Sequence, residues 1–282
     1  MSLFFGMLGV MGFSLTLPMT RLAIVDLDPT FVGLGRSLVA AGVAAIFLWI
    51  AKAPRPVGRQ WPRLAATSLG VVVGFPLLST WALESVPSAH GAVIVGTLPL
   101  ATALFGTWLA GERPSLIFWG ATIVGSATIA IFSFSSGGGS FRIADFFLLG
   151  AVVSAGFGYA EGARLSRELG AWQTISWALL LSVPVLILPV LHSAPASLSH
   201  VGWKSFAGFA YVSVISMYLA FFAWYKGLAM GGIARVGQLQ LLQPFLTLIA
   251  AAFILNETIY RSQLLVAVIV LICVFVARKF NH

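Results

Sequence analysis

Ten apolar runs follow one another along the chain, each about as long as a bilayer crossing and each ended by charges, glycine or proline. They predict helical spans, numbered one to ten, near residues 3–25, 31–50, 62–83, 88–110, 115–134, 144–164, 171–191, 203–228, 233–255 and 259–277. A membrane core takes about 20 apolar residues per helix, so ten crossings consume roughly 200 residues and leave only short connections. No separate soluble domain fits. The first run, "MSLFFGMLGV", has no basic lead-in and continues past the length of a signal sequence's apolar core, so it reads as the first span.

The polar interruptions are most concentrated in span nine. There "QLQLLQPF", Gln238 to Phe245, sets three glutamines and a proline among Val, Leu, Ile, Ala and Phe. At about 100° per residue, Gln240, Gln243 and Thr247 share one face, whereas Gln238 and Arg235 point to the other side. Pro244 lacks an N–H, and a regular helix would then leave the carbonyl of Gln240 without a partner. Such groups are costly in lipid and belong against the bundle interior or a wet cavity. Glutamine also bridges neighbouring helices, but three beside a proline point to a cavity.

A repeat runs through the pattern at an offset of 145 residues. "LPLATALFGTWLAGE" (Leu98 to Glu112) aligns with "QPFLTLIAAAFILNE" (Gln243 to Glu257), pairing Pro99 with Pro244 and Glu112 with Glu257. At a nearly equal offset Gly12-Phe13 matches Gly156-Phe157. Residues 1–138 and 139–282 thus form two five-span halves, joined through "SFSSGGGSF" (Ser133 to Phe141), and an odd number of spans turns the second half upside down. Val95 and Leu98 replace the two glutamines in the first half, so the scaffold repeats while the polar chemistry does not.

Ten spans in two halves, each with a proline helix followed by Gly111-Glu112 or Asn256-Glu257 before its last span, resemble the EamA-type transporters of the drug/metabolite transporter superfamily. The resemblance covers the whole chain. Within that family it is most similar to bacterial inner-membrane amino acid exporters of the YddG-like, aromatic amino acid type. It implies an all-α fold with a central cavity lined by spans one, three, four, six, eight and nine, and with spans five and ten peripheral.

Composition fits the pattern: 59% of the 282 residues are hydrophobic and 9% charged, with a mean hydropathy of +0.99. The net charge of +8 forms no nucleic-acid-binding stripe; it follows the positive-inside rule instead. Of the 16 Lys and Arg, eleven fall on the side of the termini, four (Arg21, Arg142, Lys204, Arg261) fall opposite, and Arg36 sits inside span two. Both termini are therefore expected in the cytoplasm of a bacterial inner membrane. The lone Cys273 excludes an internal disulfide.

All eight acids lie at or near span ends. Small multidrug exporters of the superfamily use a glutamate within their first helix, where this chain has Gly9, Gly12, Phe13, Ser14, Thr16 and Pro18. Glu161 has Arg164 one turn along as an interfacial partner. Glu112 and Glu257 each begin a helix, where free N–H groups stabilise a carboxylate; the repeat also sets them at opposite gates, as it does Pro99 and Pro244. His90 and Arg235, paired by the offset, stand at the two mouths, where each meets either a solute carboxylate or headgroups.

For the solute itself the candidates are Gln240, Gln243, Tyr218, Trp81, Thr16 and Ser154. Tyr211, Tyr218 and Tyr225 recur every seven residues and predict a nearly straight stripe with Tyr218 at mid-depth. Tyr211, Tyr225, Trp81 and Trp224 also fit an interfacial belt, with Trp81 an alternative lid. Ser154 with Gly158, like Gly9, Gly12 and Thr16, suits close helix packing as well as a pore lining.

The expected function is export of a small amphoteric solute, an amino acid, by alternating access without obligatory proton coupling. A sugar-phosphate or nucleotide-sugar carrier wants two or more cations at substrate depth, and a proton-coupled drug exporter wants a central acid. An intramembrane enzyme is disfavoured: His90, His192, His200 and His282 are dispersed, and HExxH, GxSxG and a membrane Asp pair are all missing. No cofactor or metal is called for. The expected partners are a small solute and the bilayer, not nucleic acid, with the chain acting as a monomer.

Overall fold

The structure, a computed structural model, describes residues 1–110, 115–136, 141–197 and 199–279. Gly111, Glu112 and positions 137–140 of the expected joint lie outside the described residues, as do the side chains of Arg235 and Gln238. Every regular element described is helical. Seven helices are long and apolar enough to cross a bilayer: Ser2–Ala23, Pro29–Ile50, Gln60–Ser85, Ser88–Leu109, Ile143–Leu169, Ala171–His192 and Trp203–Gly231. Shorter apolar helices at Trp119–Phe132, Leu239–Leu255 and Arg261–Cys273 occupy the places expected for spans five, nine and ten. Large side chains such as Trp49, Leu188 and Phe253 are exposed on the outside, as a lipid-facing surface requires.

Local chemistry sets several helix starts. Pro29 opens span two with its φ already helical, and Asp28 caps it by accepting from the N–H groups of Thr30 (2.7 Å) and Phe31 (3.0 Å). In the same loop Asp26 accepts from the Ser205 hydroxyl (2.7 Å) and the Gly202 N–H (2.9 Å) at the start of span eight. These donors, the Ser205 hydroxyl foremost, hold its carboxyl below the usual carboxylate range.

The spans that meet at the centre are irregular. Span one is two helices, Ser2–Ser14 and Thr16–Ala23, because Pro18 has no N–H to offer the Ser14 carbonyl. The Thr247 hydroxyl of span nine donates to that carbonyl instead, at 2.7 Å. Span four breaks between Ser88–Val95 and Leu98–Ala110, and span nine passes through a 3₁₀ segment, Gln238–Leu242, before the α-helix Gln243–Leu255. The two breaks touch: a Cβ on Gly96 would lie 3.0 Å from the Pro244 ring. Spans three and eight each contain a π-helical stretch, Ser68–Gly74 and Tyr211–Leu219, a form that recurs at functional sites.

Span one packs chiefly on span eight, span two on seven, span five on ten, and span six on both three and four. Spans five and ten contact each other at the edge of the bundle, with Ile117, Ile123, Leu265 and Ile272 exposed.

Candidate functional site

A narrow cavity lies where these irregular helices converge. Phe13 and Thr16 of span one, Arg36 of span two, Phe75 of span three, Tyr159 of span six, Ser216 and Phe221 of span eight and Gln243 of span nine are among its walls. Its volume is about 20 Å³, close to the room one water needs, so a solute enters only when helices part. Arg36 of span two is among its walls, a span that the family resemblance does not place in the lining. A larger groove of about 360 Å³ runs between spans four, five and six, but its walls are mainly apolar and its rim residues Phe146 and Val153 are exposed. The smaller cavity is the one lined by Arg36 and Gln243 with their unpartnered polar atoms.

Among the described residues, Arg36 and Gln243 in the cavity wall carry buried polar atoms without a protein partner, as does Gln240, which is not in that wall. Gln240 is 1% exposed and neither of its amide atoms has a hydrogen bond; Gln243 is buried with Oε1 unpartnered. Gln240, Gln243 and Thr247 are all buried, and the 3₁₀ winding brings side chains three apart into register. It also consumes the carbonyl that Pro244 was expected to free: the Gln243 N–H donates to Gln240 O. Arg36 is 1% exposed, its Nη1 reaches the Thr20 hydroxyl at a long 3.4 Å, and its Nε and Nη2 have no partner. Thr16 and Ser216 share a 2.7 Å hydrogen bond across the cavity wall.

The apolar side is aromatic. Phe13, Tyr159, Phe221 and Trp224 form a cluster with ring centroids 5.0 to 6.2 Å apart, and Tyr225 joins it through Phe221 at 5.3 Å. Trp224 and Tyr225 are fully buried, so neither is an interfacial-belt residue. The tyrosine stripe expected along span eight does not form. Through Tyr211–Leu219 the wider π-helical turn advances each residue by less than an α-turn does, and the phase slips. Tyr211 donates to Gly12 O (3.0 Å), Tyr225 to Gly158 O (3.1 Å), and the Tyr218 hydroxyl bonds Ser176 of span seven (2.8 Å). Tyr218 thus packs among Phe47, Phe222 and Ser176, away from the cavity that its neighbours Ser216 and Met217 line.

The other expected site residues are also engaged elsewhere. Trp81 donates to the Thr30 hydroxyl (3.1 Å) and tilts against Phe147. Ser154 lies against span three, where a Cβ on Gly74 would come within 2.7 Å of its hydroxyl. His90 is 4% exposed and its Nε2 stands 2.7 Å from Asp145 of span six, so it joins two helices instead of standing open at a mouth. Glu257 does bind free N–H groups, but those of Ser88 (3.0 Å) and Ala89 (2.8 Å) at the start of span four, not of span ten. Pro99 begins the second half of span four, and Pro244 meets Gly96 at the crossing of the breaks. Glu161 pairs with Arg164 (3.1 Å) and also with Arg63 of span three, which binds Glu168 as well.

Arg36 lines the cavity although it is not among the solute contacts expected from the sequence. An ionisable side chain well inside an apolar span is a functional candidate by its cost alone, and that signal was present. What the sequence did not carry was the direction in which the guanidinium points.

A model of the EamA-like transporter family matches residues 1–134 and again 142–278. The chain is 46% identical over 275 residues to an uncharacterized transporter, YdeK, of Bacillus subtilis (strain 168), covering 98% of this chain and 96% of that one. It is 23% identical to a WAT1-related chloroplastic protein of Arabidopsis thaliana, over 88% of this chain and 62% of the plant protein. An uncharacterized transporter of Synechocystis sp. is 22% identical, over 91% and 83% of the two chains. One protein crystal structure superposes with a TM-score of 0.70 across 98% of this chain and 96% of its own, at 16% identity, a likeness of fold.

Proposed function

Because the chain belongs to the EamA-like transporter family, we propose that it exports small amphoteric solutes, amino acids with apolar or aromatic side chains, across a bacterial inner membrane by alternating access. The observation that carries the reading is the cavity, whose walls combine unpartnered polar atoms of Arg36 and Gln243 with the aromatic rings of Phe13, Phe75, Tyr159 and Phe221. Thr16, Ser216 and Gln243 hold the polar end of the solute, while Phe13, Phe75, Tyr159 and Phe221 pack its side chain. With both termini cytoplasmic, as the distribution of Lys and Arg favours, movement is outward along the solute's own gradient.

Two inverted halves, 1–138 and 139–282, supply the rocking motion. The family model matches twice, once in each half. Shifted by 145 positions, Ser68–Gly74 falls on 213–219, inside Tyr211–Leu219, and the break after Val95 falls on the 3₁₀ segment of span nine. Exchanging the halves carries the one–eight contact onto six–three and leaves two–seven, four–nine and five–ten unchanged; all of these contacts occur.

Gln243→Ala is expected to slow counterflow of a labelled amino acid in proteoliposomes about 3- to 10-fold, the value of one lost hydrogen bond to solute. Thermal unfolding should hold, since Gln243 Oε1 has no hydrogen-bond partner among the described residues. A large fall in stability with normal exchange would make it a structural bridge. We read the cycle as uncoupled from protons: among the described residues no carboxylate is in the cavity wall, and the buried Asp145 and Glu161 are both bound to other side chains. An imposed pH gradient should therefore leave the labelled amino acid at equal concentration on both sides; concentrative uptake would refute this.

A further inference from the structure

We infer that Arg36 is the anchor for the carboxylate of the transported solute, so that a single negative charge is the first thing this site selects. The inference rests on the transporter reading above and adds to it the group that is recognised and the residue that recognises it. Arg36 is buried at 1% exposure, and among the described residues its one hydrogen bond is the 3.4 Å contact with Thr20. Among the described residues no carboxylate pairs with it; the ion pairs are Arg63 with Glu161 and Glu168, Arg164 with Glu161, and His90 with Asp145. A guanidinium does not readily shed its proton, so burial leaves a charge that an anion must balance.

The unpartnered atoms specify the geometry. Nε and Nη2 form one edge of the guanidinium, the two-donor side that grips a planar carboxylate through parallel hydrogen bonds. Gln243 Oε1, in the same cavity, is an unpartnered acceptor suited to the ammonium of the same solute. One cation balances one carboxylate. A phosphate dianion would ask for a second Lys or Arg, and among the cavity's walls Arg36 is the one cation.

The test compares phenylalanine, phenylalaninamide, phenethylamine and 3-phenylpropionate, with glucose 6-phosphate beside them, in counterflow with purified protein in liposomes. The wild type should exchange phenylalanine about 100-fold or more faster than the amide or the amine, because a buried fork left unpaired rejects the neutral analogue. Phenylpropionate should exchange measurably. Arg36→Lys keeps the charge and should retain part of the preference; Arg36→Gln should erase it, bringing acid and amide to similar rates, whereas a merely structural role would lower both together. Thermal stabilisation of the detergent-purified wild type by phenylalanine but not by its amide reads the same preference without a variant. Equal exchange of amino acid and amide by the wild type overturns the inference and leaves the transporter reading standing. Exchange of the sugar phosphate without the carboxylates, or of nothing in the panel, overturns both.

Discussion

Gly9→Val is expected to abolish solute exchange. A Cβ at Gly9 would lie 2.9 Å from the Cβ of Trp224, 3.0 Å from its Cα and 3.1 Å from its backbone nitrogen, so the obstruction is backbone that no rotamer change clears. A Cβ on Gly227 would likewise come within 2.8 Å of the Gly6 nitrogen. Spans one and eight therefore meet backbone to backbone on the termini side of the cavity, with Trp224 locked into the aromatic cluster beside them. Valine forces the two spans apart, at a cost of about 1–3 kcal/mol for overpacking. If the transporter must close this side in each cycle, counterflow falls to background even where the protein remains monodisperse. Gly9→Ala places the same Cβ against Trp224 without the two further methyls and should already slow exchange, though less than valine. Wild-type rates in the valine variant would show that this contact takes no part in the cycle.

Asp145→Ala is expected to be the most destabilising single change at the opposite face. Asp145 and His90 are both buried, and the carboxylate accepts from His90 on span four (2.7 Å) and from the backbone N–H of Arg142 at its own helix start (3.1 Å). Removing one partner of a buried polar pair leaves the other unsatisfied, which costs about 1–3 kcal/mol. Glu257 holds the same helix start through Ser88 and Ala89, so span four is tied at this end to span six and to the loop after span nine. Thermal unfolding in detergent should show a drop of several degrees or more, with Asp145→Asn falling less because the amide still accepts. An unchanged unfolding temperature for the alanine variant would remove the pair from the fold's supports.

Much was legible in the chain itself. The spans follow from the length and continuity of apolar runs, and bilayer thickness turns that one-dimensional property into helices. The irregularity near Pro244 was readable too, since a missing N–H is written in the residue. So was the polar load of span nine: Gln240, Gln243 and Thr247 lie inside, as their spacing predicts. Which groups meet was decided only in three dimensions. Span eight winds as a π-helix where an α-helix was assumed, and the tyrosines spaced to form one stripe reach toward spans one, six and seven. Span nine tightens into 3₁₀ and closes the bond that Pro244 was expected to open. Glu257 caps a helix distant in sequence, His90 finds Asp145, and Arg36 turns toward the cavity with no carboxylate paired to it among the described residues. Periodicity fixes a side chain's direction only when the winding is known, and here the winding, like the partners, is set by the packing of distant helices.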